Sequence, residues 1–188
     1  MRLLAISGSL RGASYNTKLL RAAATQLPPG VDLTVLDPEV LRAIPAYDED
    51  HEHGALPAPL AVAQLRSAIA AADGVLFATP EYNGSIPGAL KNALDWMSRP
   101  LATSPLKGKP VAVIGSSRGM FGAVWAQAEL RKVLQTIGAS VVDRELPVGH
   151  SDEQFDERDG LIDEGLRAAL DAHLGELIAN AAPDAVAA

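Results

Sequence analysis

The sequence predicts an α/β fold in which a five-stranded parallel sheet carries helices on both faces. Short apolar runs rich in β-branched residues alternate with helical periodicity along the whole length of 188 residues. Each run is almost entirely apolar, which is typical of strands that are buried on both faces. Because 48% of the residues are hydrophobic and 21% are charged, the chain can build a proper core. We expect one domain over residues 1–180 and a frayed tail over 181–188.

The elements of the first half follow from the spacing of apolar residues. Residues 3–6 form an apolar run that predicts strand 1, and a helical face over residues 19–27 follows it. Strand 2 is predicted at residues 31–36. An irregular stretch over residues 38–59 then precedes a second helix, which is marked by apolar residues over 62–69.

The second half repeats the same alternation. The remaining strands are predicted at residues 75–78, 111–114 and from 140 to 142. The helices that follow these strands carry apolar faces over residues 90–97, 130–137 and from about Gly160 to Ile178. Pro87 is expected in the first turn of the third helix, and Gly138 is expected to end the fourth.

The order of the strands predicts where a ligand binds. Right-handed crossovers leave few orders for five βα units, and 2-1-3-4-5 is the commonest of them. In that order strands 1 and 3 are neighbours, but the helices that follow them lie on opposite faces of the sheet. Ligands bind in the crevice that this opens at the carboxyl ends of the two strands. We therefore expect the chemistry after Ile6 and after Ala78.

The composition excludes several classes of function. The chain has no cysteine, which excludes disulfides, thiolate nucleophiles, iron–sulfur clusters and cysteine zinc sites. Its net charge of −7 argues against nucleic acid or an anionic membrane as the main partner. No apolar run approaches the roughly 20 residues of a membrane span, and the N-terminus lacks a signal-peptide core, so a cytoplasmic protein is expected. We interpret the His51-Glu52-His53 segment as an acidic surface loop and predict no metal site.

The loop after strand 1 has the composition of an anion site. Residues 7–17 are small and rich in hydroxyls, contain one arginine and no acid, and lead directly into a helix. A phosphate dianion is bound by free backbone N–H groups, hydroxyl donors, a helix N-terminus and a counter-charge. The loop has neither the Walker sequence nor the GxGxxG spacing of a dinucleotide site. Phosphate binding is favoured over the alternative of a serine-capped turn.

Two further loops are expected on the same rim of the sheet. Residues 79–88 are rich in Pro, Asn and Gly, which lets the backbone approach a flat ligand closely, and Tyr82 adds one aromatic surface beside it. Residues 115–122 are rich in donors and contain no acid. In this loop Arg118 either stabilises charge on a bound ring, recruits an anionic second substrate or is a solvated surface arginine. Together the loops predict an aromatic ring bound next to a phosphate.

These loops resemble those of the NAD(P)H-dependent FMN reductase family. That family includes the bacterial quinone, chromate and azo-dye reductases of flavodoxin-like fold. The resemblance is carried by residues 8–11 with Ser14 and Asn16, by residues 80–96, and by residues 107–119. It covers residues 1 to about 145, and the second of these motifs is the most specific.

The resemblance implies FMN as the bound cofactor and NADPH or NADH as the cosubstrate. The residues that it implies around the phosphate are Ser9, Arg11, Ser14, Asn16 and Thr17. One side of the isoalloxazine ring would be lined by Pro80, Glu81, Tyr82, Asn83 and Gly84, and the other by Ser116, Ser117 and Arg118. Because the chemistry belongs to the flavin, no catalytic side chain is expected apart from Arg118 as a charge stabiliser. A homodimer or homotetramer with flavin sites near the interface is also implied.

The function expected is a ping-pong oxidoreductase. NAD(P)H would give a hydride to the flavin and leave, and a quinone, azo compound, metal oxyanion or free flavin would take its place. The alternative is a flavodoxin-type electron carrier without NAD(P)H activity, which would shield the ring with aromatics on both faces. With Tyr82 as the one aromatic expected at the ring, the reductase is favoured. A phospho-accepting receiver domain is excluded, because the predicted ends of strands 1 and 3 carry no carboxylate.

Overall fold

The computed structural model describes residues 1–51 and 57–182. Its strands are β1 (Arg2–Ser7), β2 (Asp32–Val35), β3 (Gly74–Thr79), β4 (Pro110–Ser116), β5 (Ser140–Val141) and β6 (Pro147–Val148). Its helices are α1 (Tyr15–Thr25), α2 (Pro38–Arg42), α3 (Leu60–Ala71), α4 (Gly88–Met97), α5 (Val124–Ile137) and α6 (Glu164–Ala181). The parallel sheet has the order β2-β1-β3-β4-β5, which confirms the predicted flavodoxin-like topology.

The edge of the sheet next to β4 differs from the prediction of a single fifth strand. β5 pairs with the first residues of β4, and β6 pairs with its last two residues after a break. The break contains the charged residues 143–145, of which Arg144 forms an ion pair with Glu176 and Glu145 forms one with Arg131. Charged side chains are costly to bury between two layers of helices, so the strand is interrupted where they occur.

One additional helix and one helix boundary also differ from the sequence prediction. The stretch predicted as irregular contains α2, which is capped by Asp37: its carboxylate accepts a hydrogen bond from the N–H of Glu39 at 3.0 Å. The last helix begins at Glu164 rather than near Gly160, because Asp163 caps it by accepting from the N–H of Leu166 at 2.8 Å. By contrast, Gly138 ends α5 in the left-handed conformation, as predicted.

The two faces of the sheet are covered by separate apolar clusters. On one face α3, α4 and α5 pack against residues such as Ile6, Phe77 and Val113. On the other face α1 and α6 pack against residues such as Leu3 and Ile114. Successive residues of a strand alternate between the faces, so the strand-end serines of β1 and β4 point to the α1 side.

Residues 1–51 and 57–182 contain neither a membrane-spanning helix nor a cluster of metal-binding side chains. None of the helices there is both long enough and apolar enough to span a bilayer. No group of three or more His, Asp or Glu side chains in those ranges could hold a metal ion. Glu52 and His53 of the predicted acidic loop lie outside the described residues, as does the tail from residue 183 onward.

His173 is an ionisable side chain that is fully buried between α6 and the sheet. Burial, with a further contribution from the charge of Arg144, lowers the pKa of His173 from 6.5 to about 4. Glu176 and the backbone of Val113 oppose this shift, although neither ring nitrogen makes a hydrogen bond of ordinary geometry within the described residues. The histidine is therefore neutral in the folded protein at neutral pH.

Acidification is expected to destabilise the fold through this residue. The unfolded chain takes up the proton near pH 6.5 and the folded chain only near pH 4. The contribution of neutral His173 to the free energy of unfolding is therefore intact above pH 6.5. As the pH falls to 4, this contribution is lost, which lowers the free energy of unfolding by about 3 kcal/mol. We expect His173→Leu to flatten this part of the profile of unfolding free energy against pH, measured by urea denaturation. The exposed His150, replaced by Asn, is the control; equal slopes for His173→Leu and wild type would contradict the prediction.

Candidate functional site

The loops after β1 and β3 are in direct contact at the carboxyl end of the sheet. The N–H of Gly8 donates to the carbonyl of Ala78 at 2.8 Å. A Cβ atom at Gly8 would lie 2.9 Å from Leu90 Cδ2 and 3.4 Å from Pro80 Cδ, so a larger residue there would displace the end of the Leu90 side chain. The first two predicted loops are thereby held side by side at the crevice.

The β1 loop presents a row of backbone donors at the start of α1. The N–H groups of residues 10–16 donate to no acceptor in the described part of the chain. Ser14 caps the helix, with its Oγ accepting from the N–H of Thr17 at 3.3 Å. Open N–H groups at the positive end of a helix are the preferred surroundings of a phosphate. The loop therefore has the donors that the sequence predicted for an anion.

Hydroxyl groups fix the base of this loop. Thr17 Oγ1 donates to Ser7 Oγ at 3.1 Å, and Ser7 Oγ in turn accepts from the N–H of Ser9 at 3.3 Å. Ser7, Ser9 and Ser14 are all buried. The hydroxyl of Thr17 thus holds the loop from below, and the N–H of Ser9 is already used.

Asn16 joins the β1 loop to the end of β4. Its Nδ2 donates to the carbonyl of Ser116 at 3.0 Å, and its Oδ1 accepts from the N–H of Ser116 at 3.0 Å. Both residues are buried, and the Ser116 hydroxyl has no hydrogen-bond partner within the described residues. The side-chain amide of Asn16 therefore positions Ser116. The two residues are 100 positions apart in the sequence, so no local pattern predicts this contact.

The β3 loop contains a tight two-residue turn. Tyr82 and Ser85 exchange backbone hydrogen bonds of 2.9 and 3.1 Å. Between them Asn83 has φ 55° and Gly84 has φ 75°, which are the left-handed values of a type I′ turn. The N–H groups of Asn83 and Gly84 have no acceptor in the described ranges and are available to a ligand. Tyr82 is half exposed beside them.

Glu81 does not face the crevice as a free acid. Its Oε2 accepts from the N–H of Ala126 at 3.2 Å, in the first turn of α5. The cap residue of that helix, Ala123, provides no side-chain hydrogen bond. Glu81 therefore supplies the missing cap from another loop, where its charge also suits the positive helix end. In this position it anchors the β3 loop to α5.

The β4 loop is held by the segment that follows β6. Ser151 donates its N–H to the carbonyl of Ser117 at 3.2 Å, and His150 donates its N–H to the carbonyl of Gly119 at 3.2 Å. Arg118 Nη2 lies 3.3 Å from Asp152 Oδ2. A backbone hydrogen bond and then Arg118 lower the pKa of Asp152 below its ordinary value. Sequence reasoning missed this segment, because it found no signature there.

Exposed apolar side chains border the crevice on the α5 side. Phe121 and Trp125 are both more than half exposed, with ring centroids 4.9 Å apart and edge to face. Met120 is exposed next to them. The sequence predicts Tyr82 as the one aromatic at the ring; Phe121 in the β4 loop and Trp125 in the first turn of α5 are two further exposed aromatics.

The predicted site residues of the three loops thus come together at one edge of the sheet. The donors suit a group with a multiply charged anion at one end and a flat ring with oxygen and nitrogen edges at the other. The N–H groups of residues 10–16 fit the anion, and those of Asn83 and Gly84 fit the ring edge. The Gly8 contact joins the first two loops, and the Asn16 contact joins the first to the third.

Comparisons with known proteins identify the family of the chain. The model of the family described as NADPH-dependent FMN reductase matches residues 1–153. An NAD(P)H-dependent FMN reductase from Pseudomonas aeruginosa is 41% identical over 94% of this chain and 93% of the relative. A quinone reductase from Escherichia coli K12 is 38% identical over 95% and 93% of the two chains. The solved structure of FerB, an NAD(P)H:(acceptor) oxidoreductase flavoenzyme from Paracoccus denitrificans, is 32% identical with a TM-score of 0.81, over 95% of this chain and 97% of that one.

Proposed function

Since this chain belongs to the NADPH-dependent FMN reductase family, and is an oxidoreductase with FMN as cofactor and NAD(P)H as cosubstrate, we propose that its acceptors are quinones. Azo compounds, metal oxyanions and free flavin are proposed as further acceptors. The observation that carries the proposal is the run of open N–H groups over residues 10–16 beside the exposed rim of the β3 loop. Such a site holds a phosphate firmly and leaves a flat ring accessible.

The residues that would hold FMN are those of the three loops. The phosphate would be bound by the N–H groups of residues 10–16 together with Ser9, Arg11 and Ser14, while Thr17 would brace the loop through Ser7. The β3 loop would contact one side of the ring through Pro80, Tyr82, Asn83 and Gly84, with Glu81 as its anchor. Ser116, Ser117 and Arg118 would lie at the other rim, with Asn16 holding Ser116 in place. When bound, FMN supplies a ring that takes up a hydride and passes electrons on.

The protein contributes binding, orientation and charge stabilisation. The positive end of α1 and the guanidinium of Arg11 would offset the phosphate charge. The N–H groups of Asn83 and Gly84 would donate to an edge of the ring and so would stabilise negative charge there. Arg118 contacts Asp152 through Nη2, and the remaining donors of its five N–H groups stay available to stabilise negative charge on a ligand.

We propose that the nucleotide and the acceptor use the same open surface in turn. Tyr82 is half exposed, so the ring-binding side of the β3 loop is reachable from solvent. One surface visited successively by two substrates produces ping-pong kinetics. Initial rates at several fixed quinone concentrations should then give parallel double-reciprocal lines against NAD(P)H; intersecting lines would contradict a shared surface.

The test of the proposal is flavin binding followed by anaerobic reduction. Purified protein loaded with FMN should lose its yellow colour within seconds of mixing with NADPH or NADH, and a quinone should restore it. Failure to bind FMN would overturn the proposal. Colour that persists with both nucleotides would favour the alternative of a flavodoxin-type carrier, for which Phe121 and Trp125 would be further ring-shielding aromatics.

We also propose that the exposed rim mediates self-association as a homodimer or homotetramer. Glu81 accepts a hydrogen bond from the first turn of α5, and the exposed rings of Phe121 and Trp125 lie against each other at that end of the helix. Contiguous exposed apolar surface of this kind marks interaction sites. We expect the wild type to elute as a dimer or larger in size-exclusion chromatography with light scattering. Trp125→Glu should shift it towards monomer and Trp125→Phe should not; a monomeric wild type at micromolar concentration would exclude the proposal.

A further inference from the structure

The segment between β6 and α6 packs along the phosphate-binding end of the molecule. We call residues 149–163 the strap. Besides holding the β4 loop, the strap crosses the first turns of α1. It closes on itself through an isolated antiparallel bridge between Phe155 and Leu161, so its contacts with α1 come from an ordered structure.

The aromatic ring of Tyr15 links the strap to the β1 loop. Phe155 stacks on Tyr15 with centroids 6.0 Å apart and 17° between the planes. Arg11 Cζ lies over the same tyrosine ring, 5.4 Å from its centroid. Cation–π contact restricts a guanidinium to the neighbourhood of the ring. The position of Arg11 therefore depends on a ring that the strap itself supports.

Ion pairs fasten the strap to α1 one turn further on. Asp159 lies 2.8 Å from Lys18 Nζ and 2.9 Å from Arg21 Nη1. Its side chain is mostly buried, and Lys18, followed by Arg21, keeps the pKa of Asp159 below its ordinary value. Asp159 thus pairs with two cations of α1, while Arg11 forms no ion pair in the described part of the chain.

Arg42 braces the same loop from outside the strap. Its Nη2 donates to the carbonyl of Leu10 at 2.8 Å, and its Nε pairs with Glu39 at 3.0 Å. The loop backbone is therefore fixed at Leu10, whereas the side chain of Arg11 is oriented through Tyr15. The two supports act on different parts of the loop and can be separated by mutation.

We propose that Tyr15, Phe155 and Asp159 are positioning residues that aim Arg11 at the cofactor phosphate. The inference rests on the proposed function and deepens it: the strap sets how strongly the site prefers a phosphorylated flavin over one that lacks the phosphate. The strap carries no part of the ring-binding donors of the β3 loop. Its effect should consequently be confined to the phosphate end of the ligand.

The experiment compares FMN with riboflavin, which carries the same ring without the phosphate. Dissociation constants for both are measured by quenching of flavin fluorescence, for wild type and for Phe155→Leu, Asp159→Asn and Arg11→Gln. Phe155→Leu keeps the apolar volume but removes the stack, and we expect it to weaken FMN binding roughly tenfold. Asp159→Asn should act in the same direction. Arg11→Gln should give the largest loss, and riboflavin binding should stay unchanged in all three.

Glu157→Gln is the matched control, since it removes the same charge from an exposed position of the strap. It should bind both flavins as the wild type does. Equal losses for FMN and riboflavin, or no loss for either in Phe155→Leu and Asp159→Asn, would overturn the inference and leave the proposed function intact. A wild type that binds riboflavin as tightly as FMN would overturn the phosphate site and the inference with it. If Phe155→Leu does not fold, Asp159→Asn decides alone.

Discussion

Asn16→Ala is expected to destabilise the folded chain by about 3 kcal/mol and to abolish tight FMN binding. The substitution leaves the buried N–H and C=O of Ser116 without the two 3.0 Å hydrogen bonds that Asn16 makes. Unpaired buried backbone groups retain their full cost of desolvation, so the end of β4 should move to find water or new partners. The third loop would then lose its alignment with the first.

Urea unfolding and flavin titration measure the two effects. Asn92→Ala is the control, since Asn92 makes a similar pair of amide hydrogen bonds, accepting from the N–H of Tyr47 and donating to the carbonyl of Pro45, both at 2.8 Å. It should lower stability without altering the affinity for FMN. Unchanged FMN binding in Asn16→Ala would show that the link to Ser116 does not support the site.

Gly149→Ala is expected to have the second large effect. A Cβ atom there would lie 2.4 Å from the carbonyl oxygen of Met120 and 2.8 Å from its carbonyl carbon. These are backbone atoms, so the added methyl group fits only if the backbone itself moves. The strap and the β4 loop would therefore be pushed apart. Overpacking of this kind costs about 1–3 kcal/mol, and we expect FMN binding to weaken at least tenfold because Ser117 and Arg118 move.

Gly119→Ala provides the comparison within the same contact region. A Cβ atom at Gly119 would meet only Ser117 Oγ at 3.9 Å, which is an ordinary contact. The two alanine variants have the same composition, so a difference in melting temperature and FMN affinity reports the packing alone. If Gly149→Ala matches Gly119→Ala in both measurements, the β4 loop does not depend on the strap.

The parts of the fold that sequence predicted are those with a local signal. Nearly continuous apolar runs predict β1, β3 and β4. The β1 loop is predicted to be an anion site because it contains no carboxylate and leads directly into a helix. The interruption between β5 and β6 was missed, although the charges over residues 143–145 were visible in the sequence. The prediction of one continuous edge strand took no account of the cost of burying these charges.

The parts of the site that sequence did not predict are contacts between distant segments. The family resemblance implies Asn16 at the phosphate, yet its side chain pairs with Ser116, which lies 100 residues away. Glu81 was placed at the ring, and the structure places it on the first turn of α5. The strap carried no motif at all. Side-chain pairings of this range depend on which elements pack together, which periodicity alone does not encode.

The proposed binding of the cofactor phosphate by main-chain N–H groups has an evolutionary consequence. A backbone donor is kept whatever side chain occupies its position, provided that the residue is not proline and the turn survives. Positions 10 and 13, for example, can vary in sequence without removing a donor from the phosphate end. Selection can therefore remodel the exposed rim around Tyr82 and Trp125 to accept new substrates while cofactor retention is inherited unchanged. Proteins that share this fold would therefore diverge in the electron acceptors they reduce before they lost the ability to bind the cofactor.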